Sequence, residues 1–327
     1  MTPPTFADIG KSARDLLRKN FDLGVRFFSF KGKNDKLEFL GRVDNAFRVG
    51  KMLGTFESKY NLNEYGLILN EKWSSKGFMS ADVSVDGQLM NGLCNTLKTE
   101  YDVESGVNRI SLKSTYKNDF INKQVDFQFR HPLPDALQSL VIGYQDYLVG
   151  ADLHYDTFRK ELRRVDFAFA YSVKDFGFHA IITNWAHTFT AGIYQRLTDR
   201  LEYAAESNFT LLFLFVDLSV QMLRILCLVN PASVIRTGLR IAYSPVFVPC
   251  LFKTTWNRDV PDYNWAIACQ IATDPDRKHI LKIKLDSLQR ISISLKSQIV
   301  EGVNTAVSAM FNDVEETQVG FGVEIER

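Results

Sequence analysis

The chain has 327 residues, of which 46% are hydrophobic and 24% charged, and its formal net charge is +1. That balance excludes the strongly basic surface that nucleic-acid binding requires, so no nucleic-acid partner is expected. It also carries no membrane signal of its own, but a transmembrane barrel needs none, because its strands alternate lipid-facing apolar residues with polar ones.

The first segment differs from the rest. Pro3-Pro4 precede Thr5, and Asp8 follows three residues later, an arrangement like a capping box with Asp in place of Glu. Phe6, Ile9, Ala13, Leu16 and Leu17 fall at helical spacing, with Asp8, Lys11, Arg14, Asp15 and Arg18 mainly on the other side. This predicts a short amphipathic helix bearing charges of both signs, ending near Asn20 and followed by Gly24. Residues 1–24 hold no continuous apolar core of a signal peptide, and Asp8, Asp15 and Asp22 interrupt any resemblance to a transit sequence.

From Val25 the period changes to two. Met79, Ala81, Val83 and Val85 alternate with Ser80, Asp82 and Ser84, and Val125, Phe127 and Phe129 with Asp126, Gln128 and Arg130. Val165, Phe167, Phe169 and Tyr171 alternate with Asp166 and the small Ala168 and Ala170. Ile291, Ile293 and Leu295, then Val319, Phe321, Val323 and Ile325, continue the pattern to the end of the chain. Each run predicts a half-buried strand. Turn signals such as Ser74-Ser75-Lys76-Gly77, Asp86-Gly87, Ser105-Gly106 and Asp274-Pro275-Asp276 separate them closely, as a meander of hairpins requires. The absence of βαβ alternation argues against a parallel sheet. Periodicity alone gives a long antiparallel β protein and leaves open whether its apolar face meets lipid or a second sheet.

One stretch, residues 209–252, breaks the pattern. It opens on the apolar run Phe209 to Val216 and stays apolar to Val229, with Asp217, Gln221 and Arg224 inside it and prolines beyond. A helical or irregular insertion, a segment not present in the mature protein, and a membrane helix are all compatible with it. A central Asp and Arg would each cost about 2.5–3.5 kcal/mol in a membrane helix, which weighs against the last.

Motifs that carry catalysis are missing. Gly10-Lys11-Ser12 imitates the end of a P-loop, but Thr5 stands where the first glycine belongs and no strand precedes it. His131, His154, His179, His187 and His279 lie far apart, His179 and His187 have no acidic partner at ligand spacing, and Cys94, Cys227, Cys250 and Cys269 match no zinc pattern. No metal, no cofactor and no enzymatic activity are expected. Glu71 is the exception to a bland reading of the charges. It shares a face with Leu67, Leu69 and Trp73, so its carboxylate projects on the apolar side of a strand. In a soluble sheet it would be a buried charge without a partner. In a barrel it would face lipid, where ionisable groups are rare and usually functional, or reach the headgroups from an edge position.

The segment Pro3 to Asp15 closely resembles the N-terminus of the eukaryotic voltage-dependent anion channels, the mitochondrial porins. Thr55-Phe56-Glu57-Ser58-Lys59-Tyr60, Glu64-Tyr65-Gly66-Leu67 and Glu71-Lys72-Trp73 reinforce the resemblance. So do Gly143-Tyr144, Ile193-Tyr194-Gln195, Asp274-Pro275-Asp276 and Val319-Gly320-Phe321-Gly322-Val323-Glu324. It implies an all-β transmembrane barrel, residues 25–327, interrupted at about 209–252, with the N-terminal amphipathic helix and hinge of residues 1–24 inside the pore. The barrel of that family has 19 strands, a known property of the family rather than a count from this chain. The roughly 260 residues outside residues 1–24 and 209–252 allow about 13–14 per strand, enough for a tilted span plus a turn.

The resemblance further implies a voltage-gated, weakly anion-selective pore of the mitochondrial outer membrane for ATP, ADP, phosphate and inorganic ions. Asp8, Lys11, Arg14, Asp15, Arg18 and Lys19 would line and narrow the lumen, where confined charges set selectivity. Glu71 would be the membrane-facing carboxylate that the family links to self-association and to docking of a hexokinase-like partner. Three departures bear on gating. Asn20-Phe21-Asp22-Leu23-Gly24 replaces a glycine-rich hinge, leaving Gly24 alone. Gly92-Leu93-Cys94 lacks the lysine of a nucleotide-associated motif. Leu288-Gln289-Arg290-Ile291-Ser292 replaces glycine-rich sequence. A poorly conducting barrel that scaffolds partners is therefore the competing reading.

Overall fold

A computed structural model of the chain describes residues 2–47, 50–87, 90–129, 133–210, 263–312 and 317–327. Among the described residues nineteen strands form a single sheet. They are β1 (Val25–Lys33), β2 (Leu37–Ala46), β3 (Met52–Leu62), β4 (Leu67–Ser74), β5 (Phe78–Asp86) and β6 (Leu93–Asp102). Next come β7 (Val107–Lys117), β8 (Ile121–Phe129), β9 (Asp135–Tyr144), β10 (Tyr147–Asp156), β11 (Glu161–Ser172), β12 (Phe176–Thr183) and β13 (Thr188–Arg196). The last are β14 (Leu201–Thr210), β15 (Tyr263–Ala272), β16 (His279–Asp286), β17 (Ile291–Val300), β18 (Val303–Phe311) and β19 (Gln318–Glu326). Every sequential pair is antiparallel, and β1 pairs with β19 in parallel, Phe27 opposite Gly322. An up-and-down meander with an odd number of strands can close only on such a parallel pair. Closure removes the open edges that a sheet cannot expose to lipid.

Directly paired residues lie on the same face of a sheet, so the ladder sorts the wall into two sets. Starting from Ala204, the inner set runs through Ala268, Lys284, Ser292 and Met310 to Gln318. On the far side it includes the pairs Glu57–Lys72 and Asp82–Lys98. The outer set carries Phe56, Trp73, Val83, Ile110, Phe127, Phe167, Ile293 and Phe321, all exposed. The alternating apolar residues read from the sequence are this outer set. In water such a surface would be an unmet hydrophobic patch; in a bilayer it is the required one. Among the described residues no helix is long and apolar enough to cross a membrane.

The N-terminal segment departs from the single helix expected from the sequence. Thr5 does not cap a helix. Its hydroxyl donates to Asp8 Oδ2 at 2.7 Å across a short 3₁₀ turn, Phe6–Asp8. Gly10 then adopts φ +73°, and the helix α1 (Lys11–Arg18) starts after it. Glycine enters the left-handed region without penalty, so the chain kinks there. Phe209 and Thr210, assigned from the sequence to the interruption, belong to β14 and pair with Tyr263 and Thr188. The rest of that interruption lies outside the described residues.

Candidate functional site

Part of the lumen wall is lined by small residues. Gly143, Gly150, Ala168, Ala170, Ala204 and Ala268 face inward from β9, β10, β11, β14 and β15, with His179, Tyr194, Glu202 and Glu206 among them. The N-terminal segment lies in the space they leave. Pro3 accepts a hydrogen bond from Asn122 Nδ2 at 3.0 Å, in a buried position. Ile9, 1% exposed, packs against Val141, Ala168, Ala170 and Ile181. A β-carbon on Gly150 would stand 2.9 Å from Phe6 and 3.0 Å from Ile9, so the wall must be bare there. Ala13, Leu16 and Leu17 of α1 bury against Ala204 and Ala268, with Tyr194 beside them. Each buried Leu or Ile contributes roughly 1.5–3 kcal/mol to holding the segment.

The other face of the segment meets the lumen. Lys11 Nζ reaches Asp8 Oδ1 at 2.9 Å, and Lys19 Nζ reaches Asp15 Oδ2 at 2.7 Å. The Thr5 hydroxyl, and secondarily the Lys11 ammonium, hold the Asp8 carboxyl below the usual carboxylate range. Arg14 donates to the Ala7 carbonyl. Arg18 is largely exposed and lies 3.6 Å from Glu206 Oε1 on β14, whose other oxygen is 3.8 Å from His179 Nε2. The structure thus places Asp8, Lys11, Arg14, Asp15, Arg18 and Lys19 on one short segment inside the barrel, with both aspartates already engaged by lysines.

Residues 19–24 cross from the helix to β1 over β16 to β19, and the wall holds them by their carbonyls. Lys282 Nζ donates to Lys19 O at 3.3 Å, Ser294 Oγ to Asn20 O at 2.5 Å, and Ser308 Oγ to Asp22 O at 2.9 Å. Arg42 Nη2 pairs with Asp22 Oδ1 at 3.2 Å. The contact is so close at Gly320 that a β-carbon there would sit 1.6 Å from Asp22 O. Gly24, φ +71°, turns the chain into β1.

Glu71 lies on the outer face of β4, exposed between Leu69 and Trp73, with Ser58 of β3 and Ala81 of β5 as its lateral neighbours. By register it is the only carboxylate at an outward strand position among the described residues. The sequence reading missed the small-residue wall, His179 and the serines that hold the linker. Ala168 and Ala170, alternating with aromatic residues, were the visible trace of the wall; nothing local marks Ser294 and Ser308.

A sequence profile described as Eukaryotic porin matches residues 2–211. The chain belongs to the eukaryotic porin family. It is 31% identical over 209 residues to the non-selective voltage-gated ion channel VDAC2 of Xenopus laevis and to VDAC1 of Homo sapiens. Both alignments cover 64% of this chain and 74% of the relative. Against VDAC2 of Meleagris gallopavo the identity is 32%, covering 64% and 70%. These relatives are channels, and this porin is not an enzyme. The family profile stops at residue 211, so β15 to β19 lie beyond it. The motifs 274–276 and 319–324 fall there, in the β15–β16 turn and in β19. It is the hydrogen-bonded ladder from β14 through β19 to β1 that makes this region part of the same barrel.

Proposed function

We propose that this porin is a voltage-gated diffusion pore of the mitochondrial outer membrane, passing small ions and metabolites such as ATP, ADP and phosphate with a weak preference for anions. The observation that carries it is the sorting of the closed wall, apolar outside and charged inside, around a segment seated in the lumen. The anion preference is supported by the helix: Lys11 and Lys19 neutralise Asp8 and Asp15, which leaves Arg14 and Arg18 without a carboxylate partner on the segment itself, Arg18 lying 3.6 Å from Glu206 of the wall. In this reading Asp8, Lys11, Arg14, Asp15, Arg18 and Lys19 narrow the pore, and Gly24 is the only hinge.

Glu71, on the apolar exterior beside the small Ser58 and Ala81, is the residue through which a second copy or a hexokinase-like partner would dock. The fixed linker favours a second reading, a poorly conducting barrel that serves as a scaffold. Liposomes loaded with ATP and reconstituted with the refolded chain separate the two. Rapid release supports the pore. Retention of ATP by vesicles that demonstrably contain folded barrel leaves the scaffold.

A further inference from the structure

The kink of the N-terminal segment rests on a buried histidine. His179, on the inner face of β12, is 2% exposed. Its ring stands between two bare backbones. A β-carbon on Gly10, at the kink, would come within 2.6 Å of the ring, and one on Gly192, its cross-strand neighbour on β13, would overlap it.

Beside it, Glu206 on the inner face of β14 is 8% exposed. Its Oε1 lies 3.6 Å from Arg18 Nη2 of α1, and its Oε2 lies 3.8 Å from His179 Nε2. The second distance is too long for a hydrogen bond. Among the described residues neither His179 Nε2 nor Glu206 Oε2 has another hydrogen-bond partner. A buried carboxylate is costly without a compensating cation. While the imidazole is neutral, the segment supplies that cation as Arg18. The other charged or titratable groups lining the two cavities beside the ring are Asp8, Lys11 and Arg14 of the segment, Tyr194 of β13 and Asp146 of the β9–β10 turn. Lys11 already holds Asp8. β11 presents the uncharged Ala170 opposite His179.

We propose that Glu206 and His179 form a proton-operated catch on the N-terminal segment. With His179 neutral, Glu206 depends on Arg18 and the catch is closed. Protonated His179 closes the gap to Glu206 with a charge-assisted hydrogen bond. Glu206 then no longer needs Arg18, and the new positive charge faces Arg18, Arg14 and Lys11. The proton and Arg18 thus compete for one carboxylate, and by linkage each weakens the other. An imidazole ordinarily takes its proton near pH 6.5, about one unit below neutrality, so acidification loosens α1. Asn122 at Pro3, and Ser294 and Ser308 at the linker, still hold the two ends of the segment. The catch requires only a seated segment, so it stands whether or not the barrel conducts.

The test is amide exchange of residues 11–18 in the refolded full chain, read by mass spectrometry at about pH 7.5 and about pH 5.5, either side of the ordinary imidazole value, and corrected for the intrinsic pH dependence of exchange. Far-ultraviolet circular dichroism checks that the barrel is intact. Wild type should exchange about tenfold faster at the lower pH, the scale of losing one charge-assisted contact. His179→Phe keeps a flat ring and takes no proton, so it should exchange slowly at both values. His179→Asn should behave alike and serves if the larger ring is not tolerated. Glu206→Gln removes the catch and should exchange at the fast rate at both values. Arg18→Gln removes the proton's competitor, so His179 should take its proton at a higher pH than in wild type, read by NMR of histidine labelled with ¹³C. Protection in wild type that does not change with pH overturns the catch. So does a pH step that persists in the histidine variants or in Glu206→Gln, or a His179 titration that Arg18→Gln leaves unmoved.

Discussion

Replacing Ile9 by alanine asks whether the N-terminal segment is held by the small-residue wall. Ile9 is 1% exposed among Val141, Ala168, Ala170 and Ile181. The substitution removes three carbons, worth about 2.4 kcal/mol at about 0.8 kcal/mol per buried methylene, before any cavity cost. The loss falls on docking, because the strand ladder of the barrel does not involve Ile9. A detached population should therefore rise about fifty-fold or more. Trypsin cuts after Lys11, Arg14, Arg18 and Lys19 only when the segment leaves the lumen, and under fast reclosing its rate follows that population. The expected result is release of N-terminal peptides about fifty times faster, with the far-ultraviolet circular dichroism of the barrel unchanged. An unchanged cleavage rate in an intact barrel would refute the reasoning.

Glu71→Gln removes the outward carboxylate from an apolar face and should raise the unfolding free energy read from urea titration in vesicles, by less than about 2 kcal/mol, since acidic groups cost less than basic ones there; a lower unfolding free energy would contradict an outward, lipid-facing position. Ser294→Ala/Ser308→Ala removes two of the donors to the linker carbonyls and should speed amide exchange in residues 19–24 about tenfold or more, read by mass spectrometry. Asp8 titrates below its ordinary range, so its contribution to docking is fully present above the ordinary carboxylate value of about 4 and is lost only as the pH falls through the lowered value. Thr5→Val removes the larger cause and should move that loss to higher pH, followed by the Asp8 carboxyl carbon in NMR; an unmoved titration would show that the Thr5 contact does not matter.

Much of the wall was legible because a barrel strand obeys a period of two that any window of the sequence displays. The runs at Val125–Phe129, Val165–Tyr171 and Ile291–Leu295 became the outer faces of β8, β11 and β17. What stayed hidden depends on distance rather than on local pattern. The parallel pairing of Phe27 with Gly322 joins the two ends of the chain and has no local signature. The kink at Gly10 was masked by apolar residues that keep helical spacing on both sides of it. Glu71 was readable as an anomaly of face, because alternation alone put it with Leu69 and Trp73.

The account stands most directly on whether the closed barrel conducts. Refolded full-length chain in a planar lipid bilayer, stepped through positive and negative potentials, should give discrete conductance steps that fall to lower levels at high voltage of either sign. A barrel that inserts, as shown by protection from protease in the same membranes, yet passes no current at any voltage would contradict it.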